Sequence, residues 1–344
     1  MYNLKNISAF EFAQWDEVVS HCPYSSAFHS AQWITALEKS FKQLKSKAFL
    51  IEFENSLVGA FPCMVFQPIP SAKMLLSMPW NLFGGPLIVG DVTVDFTAMI
   101  ESIDTQLREF IDKQGVCETV ITLSPHHPEE IETALSRSGY EKSEGLFTHL
   151  LKIDQDYEVI WKAYNKRVRG AVRKAEKMGV IVRDSDSEKD LTEFYKIYLA
   201  SMKRLGGTPK PFSLLRTLQL SPIAKLAVAE RQGNIIAGLL YLFFNRTVTL
   251  WCGASRREFL EYRPNNAIFH HIIRWACEQR YEWVDFGASP PENRGLIAFK
   301  EEWRAKQYNF SVHAKVHSSF RKRIWTLSEP MLRKIYALVQ RNSR

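Results

Sequence analysis

The sequence predicts a mixed α/β protein of the α+β kind, made of two similar halves followed by a basic helical tail. Three observations predict it: a hairpin pattern that occurs twice, a helix that leads into a strand after each hairpin, and an apolar content sufficient for two cores. The chain has 344 residues, of which 46% are hydrophobic and 12% aromatic. That length allows two domains of ordinary size. We expect each to be a mixed, mostly antiparallel sheet flanked by helices.

The two hairpins have the same order of strand, turn and strand. The first spans 47–67 around a turn at Glu54-Asn55, and the second spans 225–244 around a turn at 232–234. Polar and glycine-containing turns between apolar runs are typical of hairpins. The matching apolar segments after the turns are 58–60 and 236–238. The repeat indicates a duplication.

A helix with an apolar stripe runs directly into a strand in each half, over 107–123 and 267–286. We place the boundary between the halves near 151–157, where a strand-like segment gives way to a helix. The predicted domains are 1–152 and 153–317, with a tail at 318–344. The main site motifs lie in the second domain. Residues 158–178 are predicted to form one long two-faced helix.

The net charge of +8 is concentrated in two segments. Residues 161–178 hold seven Lys/Arg and one Glu, residues 318–344 also hold seven and one, and the remainder is therefore about −4. Basic patches favour partners that bear phosphate, which include nucleotides, RNA and anionic lipids. Composition alone does not choose among them.

Several classes of protein are excluded by what the sequence lacks. It has no uninterrupted apolar run of about 18 residues and no apolar signal core at its start, so we expect a cytoplasmic protein. Its five cysteines are scattered, which favours buried thiols over disulfides or a zinc site. The pairs His126-His127 and His270-His271 lack ligand spacing, so no metal is expected.

The most informative segment is 285–303. Its pattern predicts a buried strand that ends in a turn and is followed by a helix. This arrangement would bring four polar or charged side chains to one edge of a sheet: Asp285, Ser289, Arg294 and Lys300. Asp-Phe-Gly at 285–287 also occurs in protein kinases. The glycine-rich loop and the other kinase motifs are absent, which excludes that class.

The order of motifs resembles the FemAB-like aminoacyl and acyl transferases, which are built from two GNAT-type domains. The resemblance spans nearly the whole chain. The motifs are Phe28-His29-Ser30, the stretch 77–86, the basic helix from Asn165 to Val180, the loop 204–211, Tyr262-x-Pro264-Asn265-Asn266, Asp285-Phe286-Gly287 and Phe299-Lys300.

The resemblance implies an activity and a set of site residues. Lys300 would neutralise charge around the donor carbonyl or phosphate, and Asp285 would act as a general base or hold the substrate amine. The guanidinium groups of arginines would bind phosphate oxygens through pairs of N–H donors. The remaining predicted donor- and substrate-binding residues are Arg167, Arg173, Tyr262, Asn265, Asn266, Ser289, Arg294, Phe299 and Trp303, with Ser77, Trp80, Gly84 and Gly85 from the first domain.

Each of these residues also has an ordinary structural explanation. A lysine on a helix is usually solvated, Asp285 can cap the turn after its strand, and Asn265 or Asn266 can be a helix N-cap. A charged helix face is most often solvated, and a Gly-Gly-Pro turn is common for conformational reasons.

The resemblance implies no tightly bound cofactor. The co-substrate would be an activated acyl donor, namely acyl-CoA, an acyl carrier protein or aminoacyl-tRNA. The segment at 262–267 lacks the glycines with which GNAT domains usually bind the CoA pyrophosphate, and no tRNA-binding helical arm is evident. The acceptor would be a small or lipid-linked precursor that bears phosphate. Donor and acceptor stay open.

A second class of function is a protein without catalytic activity that binds nucleic acid or membrane. The aromatic residues of 158–178 lie on its apolar face rather than among its basic residues, which disfavours nucleic acid. The tail at 318–344 is predicted to be a basic amphipathic helix pair broken at Pro330, with Trp325, Tyr336 and aliphatic residues at helical spacing. That is the composition of an interfacial segment, so peripheral contact with the inner membrane face is one expectation. The alternative is that Trp325, Leu332 and Ile335 pack on the second domain.

Overall fold

The structure is a computed structural model that describes residues 1–7, 12–90, 92–143 and 145–342; the side chains of Phe12 and of 339–342 are not described. The chain forms two compact units. The first comprises Met1–Leu146 and Asn309–Met331, and the second comprises Phe147–Tyr308 and Leu332–Arg344.

The first unit contains two sheets among its described residues. Its strands are β1 (Tyr2–Asn6), β2 (Leu44–Ser46), β3 (Phe49–Phe53), β4 (Ser56–Phe61), β5 (Met64–Ile69), β6 (Ala72–Leu76), β7 (Leu87–Ile88), β8 (Val116–Thr122), β9 (Glu141–Ser143) and β17 (Val312–Val316). One sheet has the order β1-β3-β4-β7 and the other β2-β5-β6-β8-β17-β9.

Four helices pack with these sheets: α1 (Phe12–Ser20), α2 (Ala31–Ser40), α3 (Phe96–Gln114) and α4 (Glu129–Arg137). Asp95 caps α3 by accepting a hydrogen bond from the Ala98 amide, and Gly115 ends the helix in the left-handed conformation. One apolar face of α3, which includes Met99, Ile103 and Leu107, is buried in the core of this unit.

The second unit is built on one sheet. Its strands are β10 (Phe147–Lys152), β11 (Ile181–Ser185), β12 (Ala224–Arg231), β13 (Asn234–Phe244), β14 (Thr247–Ser255), β15 (Trp283–Ala288) and β16 (Lys306–Asn309). They lie in the order β11-β12-β13-β14-β15-β10-β16. Strand β13 reads as a nearly continuous apolar run because helices cover both faces of the sheet.

Six helices complete this unit: α5 (Tyr157–Ala163), α6 (Lys166–Lys177), α7 (Glu188–Leu205), α8 (Phe212–Gln219), α9 (Pro264–Glu278) and α10 (Arg294–Glu302). On β13, Gly238 faces Phe194 of α7, while its neighbours Ala237 and Leu239 pack in the core with Ile272 of α9. Alternate residues of the strand therefore meet different helices.

The single long helix predicted over 158–178 is wrong. Tyr164 has an extended backbone, and the Asn165 side chain accepts a hydrogen bond from the Arg167 amide, so it caps a second helix. Periodicity across the break misled the prediction, because the apolar stripe continues from α5 into α6.

The two hairpins are confirmed, except that the second strand of the first hairpin ends at Phe61 and the predicted remainder at 64–67 belongs to β5 of the other sheet. Strands β3 and β4 turn at Glu54-Asn55, and β12 and β13 turn at 232–233, with positive φ at all four turn residues. Each hairpin has a register shift at the equivalent place, opposite Val58 in the first and Ile236 in the second. The strands after the long helices, β8 and β15, each pair in parallel with one neighbour. The two units share one plan.

The compact units depart from the predicted bounds 1–152 and 153–317. Strand β10 pairs with β15 and so lies in the second unit, while β17 pairs with β8 and lies in the first. Each strand lies with the sheet that supplies its hydrogen bonds, and local sequence does not reveal that pairing.

The predicted tail of 318–344 is one helix, α11 (Ser319–Asn342), with Pro330 inside it. The break expected at Pro330 is therefore wrong, and residues 343–344 of the predicted tail lie outside the described part. Trp325 packs against Phe66 at 5.8 Å between ring centroids, within the first unit and not on the second as the packing alternative expected.

Candidate active site

The candidate site lies where two parallel strands stop pairing. Strands β14 and β15 are in register only from Thr247 with Trp283 to Thr249 with Asp285. Beyond this point the pairing of β15 with β10 shifts register, as in a β-bulge: Thr148 pairs with Ala288, whereas Leu150 pairs with Asp285. Gly287 takes φ +75 there, a conformation that suits glycine. The bulge exposes backbone polar groups at the end of the parallel pair.

Lys300 approaches this bulge from the last turn of α10. Its Nζ donates hydrogen bonds to the carbonyl oxygens of Gly287 at 2.6 Å and Ala288 at 3.2 Å. The side chain is only 4% exposed, so the expectation of a solvated lysine is wrong. Burial lowers the pKa of Lys300 to about 8, against the attraction of Asp285 that raises it.

Asp285 is buried beside the same bulge. Its Oδ1 accepts hydrogen bonds from Thr148 Oγ1 at 2.5 Å and from the Gly287 amide at 2.8 Å. Burial raises the pKa of Asp285, while those two hydrogen bonds and the charge of Lys300 lower it. The capping role considered from the sequence is confirmed, because the carboxylate bonds the amide two residues on.

His149 is a residue that the sequence reasoning missed. It follows Thr148 on β10 at the irregular point of the pairing with β15, and it is fully buried. Neither ring nitrogen has a hydrogen-bond partner among the described residues. Burial and the charge of Lys300 lower the pKa of His149, so the ring is neutral near pH 7. An unpaired buried imidazole was the signal, and only the structure shows it.

The other residues predicted around 289–303 divide into two groups. Ser289 is buried, and its Oγ has no partner in the part of the chain that is described. Arg294 begins α10 and is exposed. Phe299 and Trp303 pack together with Phe269, and Trp303 is a fully buried core side chain whose Nε1 is unpaired within the described ranges.

The start of α9 holds three predicted residues. The N-cap is Arg263, in the left-handed conformation and without a side-chain cap, so the explanation of Asn265 or Asn266 as N-cap is wrong. Asn265 Nδ2 lies 3.4 Å from Ser255 Oγ, and Asn266 is half-buried. The guanidinium of Arg231 lies 4.1 Å from the ring centre of Tyr262. No side chain caps the start of α9 among the described residues, and helix N-termini of this kind favour anions.

Basic side chains line a cleft of about 360 Å³ at the end of β14. Its lining comprises Lys196, Ile197, Ala200, Ser201, Arg204, Ser255, Arg256, Arg257 and Glu258. Four of these are cationic and one is anionic. Sequence reasoning noted the loop after Arg204 but not this cleft, because its walls come from α7 and from the segment after β14.

The two predicted arginines of α6 are exposed. Arg167 lies in the first turn, with Nη1 3.5 Å from Glu302 Oε1, and its side chain is 84% exposed. The guanidinium of Arg173 lies 5.9 Å from the ring centre of Trp161. An exposed ion pair such as that of Arg167 with Glu302 contributes little to stability.

The predicted first-domain residues lie in the first unit. Ser77 is buried and its Oγ accepts a hydrogen bond from the Thr122 amide at 2.9 Å. A Cβ at Gly84 would lie 2.7 Å from the Ser77 carbonyl oxygen, and one at Gly85 would lie 2.4 Å from Leu123. Both glycines are required by close packing. Trp80 is half exposed, with φ +61.

Two further properties concern membranes and metals. Over the described residues, no helix is long and apolar enough to cross a membrane. Within the same ranges, no group of three or more His, Cys, Asp and Glu side chains has the geometry of a metal site. All five cysteines are free thiols, four of them buried, as predicted.

Comparisons with known proteins agree with this architecture. Residues 162–301 match a family model described as "Acetyltransferase (GNAT) domain". A UDP-N-acetylmuramoylpentapeptide-lysine N(6)-alanyltransferase of Weissella viridescens is 25% identical over 142 residues. That match covers 40% of this chain and 42% of the relative, or about two fifths of its length.

Solved structures extend the likeness to almost the whole chain. The crystal structure of FemX has a TM-score of 0.76 at 15% identity, covering 95% of this chain and 100% of that one. A tandem GNAT protein from the clavulanic acid biosynthesis pathway has a TM-score of 0.59 at 11% identity, covering 92% and 98%. At these identities the likeness shows the fold, which is of the tandem GNAT type, as predicted. The chain therefore carries an acyltransferase domain of the GNAT type within a tandem GNAT fold, in agreement with the resemblance to FemAB-like transferases that its motifs indicated.

Proposed function

We propose that the protein is an N-acyl or aminoacyl transferase that moves an acyl group from an activated donor to an amine of a cell-envelope or polysaccharide precursor. The observation that carries the proposal is the buried ammonium of Lys300 at the bulge of β15. A buried cation beside exposed backbone groups at the end of a parallel strand pair suits a reaction in which negative charge develops on a carbonyl oxygen.

The geometry of Lys300 supports an oxyanion role. An ammonium group has three N–H donors, and two of them bond the carbonyls of Gly287 and Ala288. The third remains for the oxygen of the donor carbonyl. As the acceptor amine attacks, a C–N bond forms and the carbonyl oxygen becomes negative. The tetrahedral intermediate then collapses, the C–S or C–O bond to the donor breaks, and the amine proton leaves with the departing group.

Asp285 acts as a positioning residue in this proposal. Its Oδ1 already accepts hydrogen bonds from Thr148 and Gly287, and its negative charge favours the ionised form of Lys300. It thereby holds both the bulge and the ammonium. A role for Asp285 as the general base was the other expectation, and it requires the carboxylate to reach the amine from a buried position.

The donor is proposed to bind at the basic cleft and the start of α9. The candidate donors, acyl-CoA, an acyl carrier protein and aminoacyl-tRNA, all contain phosphate. Arg204, Arg256 and Arg257 line the cleft, and the uncapped amides of α9 lie close in sequence to two of them. The donor is a co-substrate, and no tightly bound cofactor is proposed.

The acceptor is proposed to be a small or lipid-linked precursor that bears phosphate, with an amine as nucleophile. The Weissella viridescens relative is named for transfer of alanine to a lysine N6 amine of such a precursor. Arg167 and Arg173 are exposed cations suited to its phosphates. The substrate- or donor-binding roles expected of Ser77, Trp80, Gly84 and Gly85 in the first unit stay predictions. Such a reaction belongs on the cytoplasmic side of the inner membrane, with peripheral contact through 318–344.

Native mass spectrometry of freshly purified protein tests the donor assignment. A copurified thioester, nucleotide or tRNA fragment is the expected result. Its mass identifies the donor class, and Arg204→Gln with Arg257→Gln should reduce its occupancy. A bound species whose occupancy is the same in that double variant would place the donor elsewhere.

A further inference from the structure

An apolar stripe runs along the exposed side of α11. Phe320, Leu327 and Met331 are 76%, 75% and 67% exposed, which is unusual for three large apolar side chains on one helix. At about 100° per residue they fall within about 40° of one another. Ile335 and Leu338 continue the stripe farther along the helix, and they too are exposed.

The opposite side of the same helix is already occupied. Within the first unit, Trp325 packs on Phe66, Lys322 donates to Glu118 Oε1 at 2.5 Å, and Arg321 donates to the Gly115 carbonyl at 3.0 Å. These contacts fix the rotation of α11 about its axis. The apolar stripe is therefore held outward by the packing of the opposite side.

Cationic side chains border the stripe. Arg323 and Lys334 are exposed and lie about 40° to 60° to one side of it at about 100° per residue. An apolar stripe with basic residues along its edge matches a bilayer interface, where acyl chains accept the apolar side chains and anionic headgroups attract the cations. A protein groove would have to supply acidic groups along the same edge.

We infer that α11 is an interfacial helix, with Phe320, Leu327 and Met331 inserted into the surface of an anionic bilayer and Arg323 and Lys334 against its headgroups. The composition of the tail suggested Trp325 as an interfacial anchor. Trp325 does not take part, because it packs on Phe66. The surface stands whether or not the chain transfers an acyl group. It attaches the protein to a membrane that no helix crosses among the described residues.

Vesicle cosedimentation tests this surface with the full chain. Wild type should bind phosphatidylglycerol-containing vesicles and bind pure phosphatidylcholine vesicles at least tenfold more weakly. A Phe320→Ser, Leu327→Ser, Met331→Ser variant should lose at least tenfold in binding while keeping the wild-type melting temperature. Arg323→Gln with Lys334→Gln should weaken binding to anionic vesicles alone by about 30-fold, since each basic residue near the surface contributes about 1 kcal/mol.

The matched control replaces two apolar side chains of similar exposure that lie outside α11. Leu205 and Leu220 are 66% and 72% exposed, and Leu205→Ser with Leu220→Ser should bind vesicles as wild type does. Equal loss in this control, or wild-type binding by the stripe variant, would overturn the inference. So would a wild-type dimer that the stripe variant turns into a monomer in light scattering, since a second copy would then cover the stripe.

Discussion

Lys300 lies near the end of α10, where its ammonium group contacts the bulge of β15. A lysine near the end of a helix is ordinarily solvated, and its removal costs little. Here the side chain is buried, and its ammonium bonds two backbone carbonyls of the β15 bulge. Its loss would remove a hydrogen-bond donor from both carbonyls and a positive charge from the neighbourhood of Asp285. Lys300 therefore matters to the fold as well as to the proposed chemistry.

Lys300→Ala should lower kcat/KM by about 100- to 1,000-fold, the usual cost of removing one oxyanion donor. Because two carbonyls lose a donor, the free energy of unfolding should also fall by about 1–3 kcal/mol. Rates are to be measured well below the melting temperature, with circular dichroism as the folding control. A folded variant that retains a fifth of wild-type activity would remove Lys300 from the mechanism.

The pH dependence follows from the same group. The folded pKa of Lys300, about 8, lies below the 10.5 of an ordinary lysine, so the folded protein loses the ammonium as pH rises through about 8. Since the ammonium binds the oxyanion, kcat/KM should fall above that pH. In Lys300→Arg this decline should move beyond about pH 10, because arginine stays protonated. A rate that rises through pH 8 would instead indicate a neutral lysine acting as base.

At the scale of elements, the bulge of β15 connects the two site residues. Gly287 supplies its amide to Asp285 and its carbonyl to Lys300, and it does so at φ +75. No atom lies within 4 Å of a Cβ built at Gly287, so a side chain there meets strain but no clash. This separates the effect of backbone conformation from that of packing.

Gly287→Ala should destabilise the fold by about 1–2 kcal/mol, the cost of a left-handed alanine, and should lower kcat/KM at least tenfold by shifting the bulge. Gly233→Ala is the control: Gly233 has φ +77, equally open surroundings, and a place in the turn between β12 and β13. It should lose the same stability, measured by denaturant unfolding, and keep its activity. Equal activity in both variants would mean that the bulge does not position the site.

The helix α11 contributes to stability through its packed side. Ending the chain at Ser318 removes the contacts of Arg321, Lys322 and Trp325 with the first unit. The melting temperature should fall by about 5 °C, because a partly buried tryptophan and its polar neighbours contribute about 2 kcal/mol. An unchanged melting temperature in scanning calorimetry would show that this side of the helix does not pack in solution.

The hairpins and the long helices could be predicted because their signals are local. Turn residues at 54–55 and 232–234 and the 3.6-residue period of α3 and α9 are sufficient to place them. The break at Asn165 was missed because a capping asparagine inside a continuing apolar stripe has no clear sequence signal. Strands β10 and β17 were misplaced because their partners, β15 and β8, are distant in sequence.

The candidate site was predicted only in part for a similar reason. Asp285 and Lys300 lie 15 residues apart on one strand-turn-helix segment, so one motif reveals both. Their burial, the orphan imidazole of His149 and the hydrogen bond from Thr148 depend on β10 adding to the edge of β15. The basic cleft likewise joins α7 to the end of β14. Such juxtapositions come from tertiary packing.

At the scale of the whole molecule, the chain repeats one plan and uses the two copies differently. Both units have the bulged hairpin and the helix that leads into a parallel strand, yet the buried lysine and aspartate lie in the second, within the region of the GNAT match. In the first unit, the end of the corresponding strand β8 instead contacts Ser77 and the tightly packed Gly84 and Gly85, which precede the strand in the chain. Duplication thus left one copy with the ionisable pair on which the proposed chemistry depends.

The most direct test of the central claim is amide formation by the purified protein. Wild-type and Lys300→Ala proteins are each incubated with an extract of envelope precursors together with one radiolabelled donor. The donor is aminoacyl-tRNA in one reaction and acyl-CoA in another. The products are then treated with hydroxylamine. Hydroxylamine cleaves the ester or thioester of the donor but not an amide. The account predicts hydroxylamine-resistant label on a phosphate-bearing precursor from one donor class with wild type, reduced at least 100-fold with Lys300→Ala. No resistant label from any donor, or equal label with both proteins, would contradict it.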